Sequence, residues 1–188
     1  LSKRFLRHPE LIDALLREDQ VLLEKDRETF RGELDERLAH LPADLAPDDL
    51  LERQLGELRR YKNEEVLRIA IHDIAGTIDL ASVAGQLTDL AEASLERCLA
   101  LAEAEAAAKS VAPPGRLCVI GMGKLGGREL GYHSVLDLIF LYPGSGATAG
   151  HERYPRLAHR LMSFLQVPLR EGRLYQIDTR LRPSGNQG

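Results

Sequence analysis

The sequence predicts an α+β protein in which an N-terminal helical bundle precedes a small mixed sheet, and three observations carry that prediction. Apolar residues recur at three- and four-residue spacing up to about Ser110, the mark of amphipathic helices. Pro113-Pro114-Gly115 then interrupts the pattern with residues that a helix interior does not tolerate. After the interruption come short apolar runs separated by glycine turns, which read as strands. The chain is therefore divided into a helical region, 1–112, and a mixed unit, 113–188.

The elements follow in order. Leu6, Leu11, Leu15, Leu16, Val21 and Leu22 predict a first helical stretch, and Phe30, Leu34, Leu38 and Leu41 continue it. Pro42 and Pro47 mark a break, with Asp48 or Asp49 as the expected N-cap of the next helix. That helix carries Leu51, Leu55, Leu58, Val66, Ile69, Ala70 and Ile74, and Gly76 ends it. A further helix is expected from near Ser82, lined by Val83, Leu87, Leu90, Leu95 and Leu99 and prolonged by the alanine-rich stretch 101–108. Leu117 to Ile120 reads as a buried strand, Gly121 to Gly127 as a turn, and Val135 to Tyr142 as a second strand. A loop at Pro143 to Gly146, a helix over Tyr154–Val167 and a third strand over Leu174–Ile177 complete the reading.

Composition excludes several classes. The 188 residues are 44% hydrophobic and 29% charged, as in an ordinary folded domain. A net charge of −4 argues against non-specific binding to nucleic acid or to an anionic membrane. No apolar run reaches the roughly 20 residues of a membrane span, and no signal peptide is visible. Cys98 and Cys118 have no Cys or His at metal-ligand spacing, so both read as buried small hydrophobes in a reducing compartment. A cytoplasmic protein is expected. The chain starts without Met and ends at Gly188 with no closing element, so a piece of a longer protein is also expected, with its core truncated at the C-terminal end.

Three features could carry chemistry. The run Gly121-Met122-Gly123-Lys124-Leu125-Gly126-Gly127 can bring backbone amides close to a ligand, and a following helix would favour phosphate at its N-terminus. The same run also suits a plain tight turn, and its spacing matches neither the dinucleotide fingerprint nor the P-loop. Asp137 is the one charge in an apolar strand, where a carboxylate must be paired or bind a metal. Asp178 ends the third strand and is followed by Arg180 and Arg182, suited to phosphate oxygens or to surface ion pairs.

Taken together, Gly123-Lys124-Leu125-Gly126-Gly127-Arg128-Glu129-Leu130, then Ser134-Val135-Leu136-Asp137-Leu138-Ile139-Phe140, then Asp178 with Arg180, Arg182, Pro183, Ser184 and Gly185 resemble the glutamine synthetase adenylyltransferases, of the polymerase-beta-like nucleotidyltransferase superfamily. The helices match more loosely, at 7–11, 58–62 and 67–70. The resemblance implies a nucleotidyltransferase core, ATP as substrate and Mg²⁺ as cofactor, with AMP moved onto a tyrosine of glutamine synthetase. A deadenylylating, phosphorolytic unit is the alternative within the family, and a silent nucleotide- or partner-binding domain is the alternative outside catalysis. Glutamine synthetase and a PII-type signalling protein are the implied partners. Asp137 and Asp178 stand at the family's second and third metal positions and are the implied catalytic residues. Gly123, Lys124, Gly126, Ser134, Arg180 and Arg182 are the implied nucleotide and phosphate contacts. The family's first carboxylate is missing: Val135 stands in its place and offers no oxygen to a hard cation.

Overall fold

The structure is a computed structural model that describes residues 24–42, 44–143 and 152–180, and the statements below concern those residues. The expected helix over Leu6–Leu22, the loop after Pro143 and Arg182 with its neighbours lie outside them. In chain order the elements are α1 (Arg27–Ala39), α2 (Pro47–Ala75), α3 (Leu80–Ala108), β1 (Cys118–Met122), α4 (Gly123–Gly126), β2 (Leu136–Leu141), α5 (Arg153–Gln166) and β3 (Ile177–Asp178). No described helix is long and apolar enough to cross a membrane.

Local chemistry sets the helix ends. Asp26 and Asp79 are N-caps whose carboxylates accept from the amides of Thr29 and Ser82. At α2 the expected Asp48 or Asp49 cap is replaced by Ala46, because Pro47 itself takes the first helical position, where its missing N–H costs nothing. The two aspartates lie in the first turn, favourably placed against the helix dipole. Gly76 ends α2 in the left-handed conformation (φ 66°), with Thr77 N–H reaching back to His72. The same six-residue closure ends α3, where Ser110 (φ 56°) takes the left-handed position and Val111 N–H bonds Ala106.

The sheet has the order β1-β2-β3, with β1 antiparallel and β3 parallel to β2. Strand alternation divides β2 cleanly: Leu136 and Leu138 are 0% and 2% exposed and face the helices, whereas Asp137 and Ile139 face the other way. Across β1 the open face continues through Cys118, Ile120 and Met122. The first strand is thus half-open rather than buried: Met122 is 44% exposed, and Cys118 is exposed. The reading of both cysteines as buried holds only for Cys98, whose thiol burial pushes up to about 12. The reason is register, since Cys118 shares its parity with Asp137 and not with the core residues.

One hydrophobic cluster runs from Phe30, Leu58 and Leu90 of the helices to Leu136, Leu161, Leu165 and Leu174. Each such leucine contributes about 1.5–3 kcal/mol by leaving water. Two polar devices are buried beside it. Glu65 accepts from Lys25 Nζ at 2.9 Å and Arg68 Nε at 2.7 Å, while Arg68 also reaches Gln86 at 2.7 Å, joining α2 to α3 and to the segment before α1. Arg59, 1% exposed, donates only to main-chain carbonyls: Leu55 at 2.7 Å, Phe164 at 2.7 Å, Val167 at 2.9 Å and Gly172 at 3.0 Å. Burial lowers its affinity for the proton, but those four oxygens keep the cation solvated by protein.

Arg59→Met should therefore lower the unfolding free energy by roughly 3 kcal/mol or more, because carbonyls on α5 and the following loop lose their donors. Arg59→Lys should recover only part of this, since an ammonium lacks the planar fork. Urea denaturation checks both; a loss under about 1 kcal/mol for the Met variant would show that the carbonyls find other donors cheaply.

Candidate active site

Asp137 sits at the N-terminal end of β2, one residue into the strand. Its register partners are Met122 at the end of β1 and Asp178 at the end of β3. Paired residues on neighbouring strands share a face, and strands lie about 4.8 Å apart, so the two carboxylates stand side by side on the open face. Among the described residues no third His, Cys, Asp or Glu joins them as a metal-binding group. Val135 is half-buried and lies one residue before the paired strand, whose ladder begins at Leu136 rather than at the expected 135.

The glycine run meets Asp137 directly. Gly123 has φ 53°, and a Cβ there would collide with Asp137 Oδ2. Two independent constraints thus require glycine: a left-handed backbone and the closeness of a carboxylate. Gly126 is required for packing, since a Cβ would lie 2.6 Å from the Gly121 carbonyl. The expected helix N-terminus for phosphate is only a single turn, α4, too short to carry much dipole. Any grip on phosphate from this turn therefore falls to main-chain amides and to Lys124, which is exposed.

Behind α4 the chain is fixed to the helices. Arg128 adopts φ 58°, and Glu129 N–H closes on Lys124 O at 2.8 Å, completing the helix end without the usual glycine. The strained residue is held by Asp89 of α3 at 2.7 Å and by Glu92 at 3.7 Å. Tyr132 OH donates to Asp73 of α2 at 2.8 Å. Ser134 Oγ accepts from Gly131 N–H at 2.9 Å and so stabilises the turn into β2. By strand parity it lies with Leu136, on the helix side, away from Asp137.

Arg180 is brought to Asp178, not left free beside it. Its Nε and Nη2 donate to the two carboxylate oxygens at 3.0 and 2.8 Å, and its amide donates to Oδ1 at 2.9 Å. The structure thus gathers Gly123, Asp137, Asp178 and Arg180, sets Ser134 on the opposite face, and leaves Arg182 outside the described residues. Sequence reasoning assigned no role to Arg59, Arg128 or Tyr132. Arg59 lies in the loosely matching segment 58–62 and Arg128 within the strongest motif, but partners 39 and more residues away carry no local signal.

The family model described as GlnE, glutamate-ammonia ligase adenylyltransferase, matches residues 1–188. This chain belongs to the glutamate-ammonia ligase adenylyltransferase family. It is 37% identical over 207 residues to the bifunctional glutamine synthetase adenylyltransferase/adenylyl-removing enzyme of Thioalkalivibrio sulfidiphilus, covering 100% of this chain and 21% of that protein. It is 42% identical over 172 residues to the proteins of the same name from Burkholderia mallei and Burkholderia pseudomallei, covering 84% of this chain and 19% of each. The chain spans about a fifth of the length of these family members.

The glycine assignments give a contrast within one family member. Gly123→Ala should cost about 1–2 kcal/mol from backbone strain alone, and more if Asp137 cannot move aside. Gly85→Ala, inside α3 with open space around it, should instead stabilise by about 0.5–1 kcal/mol. Urea midpoints on the two variants check this, and a stable Gly123→Ala protein would remove Asp137 from its assigned contact.

Proposed function

We propose that this chain is a nucleotidyltransferase unit that transfers AMP from ATP to a tyrosine of glutamine synthetase. The observation that carries the reading is the in-register pairing of Asp137 with Asp178 on an open sheet face, with the Gly123 turn against Asp137. A polymerase-beta-like core over 113–188, resting on the helical region 1–112, accounts for that arrangement. The names of the relatives supply the substrate class.

Mg²⁺ suits the donors. Carboxylate oxygens are what a hard cation takes, and two of them on one face fit one ion; a second ion lacks the oxygen that Val135 displaces. When bound, Mg²⁺ would neutralise phosphate charge and favour the attacking hydroxylate. Asp137 and Asp178 would hold that ion. Lys124, next to Gly123, meets the phosphates, and Arg182 joins it. Arg180 holds Asp178 in place and is available to phosphate only by giving up that contact. A PII-type signalling protein and a cytoplasmic setting follow from the same reading.

Val135 and the Arg180–Asp178 contact favour a second reading, a silent unit that binds nucleotide or the synthetase without chemistry. A phosphorolytic unit remains the alternative within the family, and phosphate-dependent release of AMP from adenylylated synthetase would mark it.

Label transfer from ATP to glutamine synthetase at saturating Mg²⁺ tests the proposal. Val135→Asp, in a chain extended past Gly188, should raise the rate by about a thousandfold, the scale of one primary ligand. Rates within a few-fold of each other would remove position 135 from the metal site. Lys124→Ala should weaken ATP binding at least tenfold while leaving the thermal midpoint unchanged; equal affinity in the folded variant would refute the phosphate role.

A further inference from the structure

Arg128 carries a side chain in a backbone conformation that disfavours one. Its φ of 58° lies in the left-handed region, where a Cβ crowds the following carbonyl. Glycine usually closes a helix in this way, as Gly76 does at the end of α2. Gly127, one residue earlier, stays right-handed at φ −80°. The cost therefore falls on an arginine although a glycine stands next to it. Strain of this kind persists where surrounding contacts fix it, and it gathers at functional sites. We propose that Arg128 is a positioning residue: clamped to Asp89 of α3, it holds in place the turn that carries Lys124 toward the nucleotide phosphates. This role rests on the adenylyl-transfer reading and gives it a residue outside the two carboxylates.

The backbone carries the clamp to the turn. The amides of Gly127, Arg128 and Glu129 donate to the carbonyls of Gly123, Leu125 and Lys124, at 2.9, 3.1 and 2.8 Å. The last two bonds form the paired closure that a left-handed residue makes possible, with Arg128 swinging the Glu129 N–H back onto Lys124. Next to Lys124, Gly123 stands against Asp137 Oδ2. One short route thus runs from α3 through Arg128, Lys124 and Gly123 to the carboxylate.

Side-chain chemistry fixes the other end of that route. Arg128 Nη2 donates to Asp89 Oδ1 at 2.7 Å, and its Nη1 lies 3.7 Å from Glu92. The Asp89 side chain is 15% exposed against 50% for Arg128, so the anion is the anchored partner, set on a helix of 29 residues. Glu92 is shared, because Arg27 at the start of α1 reaches it at 3.3 Å. Asp89 is therefore the clamp and Glu92 an accessory. An ion pair of this exposure stabilises a fold little. It matters more where it decides between a turn held ready and one that the ligand must order, since apparent affinity falls with the fraction of competent protein.

Titration of the 188-residue chain with ATP and Mg²⁺, with thermal midpoints measured alongside, tests the role. Arg128→Gly removes the guanidinium and at the same time relieves the left-handed strain. Its thermal midpoint should stay level or rise, while ATP affinity falls about threefold to fivefold, the reach of an exposed ion pair. A residue that served stability alone would leave the affinity of the folded variant unchanged. Asp89→Ala should lose as much affinity, and the double variant no more than either single one, because the two side chains act as one unit. Without nucleotide, the Glu129 amide should exchange about threefold faster or more in Asp89→Ala. Unchanged affinity in the folded single variants, unchanged exchange at Glu129, or additive losses in the double variant would each overturn the role. A loss confined to Arg128→Gly would overturn it too, by making Arg128 itself the phosphate ligand. All of these leave the adenylyl-transfer reading standing, whereas an unaltered chain that binds no ATP would overturn that reading and the role together.

Discussion

Arg59 is the constraint on which the rest of the architecture depends. A helix leaves its last four carbonyls without partners, and at α5 these are Ser163, Phe164, Leu165 and Gln166. Each finds a different donor: Val167 N–H, Arg59, Tyr175 N–H and the Arg173 guanidinium. Three of those four bonds reach across the chain and not along the helix. The end of α5 is thereby tied to α2 through Arg59 and to the approach of β3 through Arg173 and Tyr175. Gln166 adds a further tie by donating from Nε2 to the Ile177 carbonyl at 3.3 Å. Asp178 owes its position to the satisfaction of a helix terminus, because a two-residue strand has too few ladder bonds to place itself.

A cation was the economical way to do this. A neutral donor offers one or two N–H groups, whereas a guanidinium offers five in a fixed plane. Carbonyl oxygens at a helix C-terminus also carry partial negative charge, so a buried cation there gains from the dipole that would penalise a carboxylate. The same logic recurs at the other end of the core, where Lys25 and Arg68 are met by Glu65 and Gln86. There the acceptors are side chains, so the network depends on rotamers as well as on backbone position. The helices do more than fill volume: through Asp73, Asp89 and Glu92 they reach the segment between α4 and β2 and fix the approach to Asp137.

Much of this was legible in the sequence because it is local. Helical spacing gave α2, α3 and α5, Gly76 gave a stop, and the strand runs gave β1 and β2 to within a residue or two. Residues Gly123, Asp137 and Asp178 were legible through motif spacing, and the register brings them together. What was not legible is non-local or subtle in register. Whether Cys118 faces the core depends on which parity β1 presents, and a five-residue apolar run suits either. The start of α2 was misplaced because Pro47 reads as a breaker until its position at the first turn is known. Arg59 looks like any surface arginine until the carbonyls of residues 105 and 108 positions later are folded against it.

Charge balance on the open face bears on the metal site proposed above and on the place of Val135 in it. Asp178 already shares both oxygens with Arg180, and Asp137 stands against Gly123. Among the described residues, the two carboxylates lie near Arg180 and the exposed Lys124, which leaves modest attraction for a divalent ion at a partly solvated surface. An aspartate at 135 would share the parity of Asp137 and add a negative charge beside it. Under the metal site proposed above, the effect of Val135 would exceed the loss of one ligand, because Arg180 would compete for Asp178 more effectively when the cation's other ligands are fewer. Under the same proposal, a nucleotide arriving with its own Mg²⁺ would shift the balance differently, since its phosphates would offer Arg180 an alternative partner to Asp178. On that view the ion accompanying the nucleotide is less sensitive to Val135 than the ion needed at the attacking hydroxyl, and substrate binding and transfer separate as functions of a single side chain.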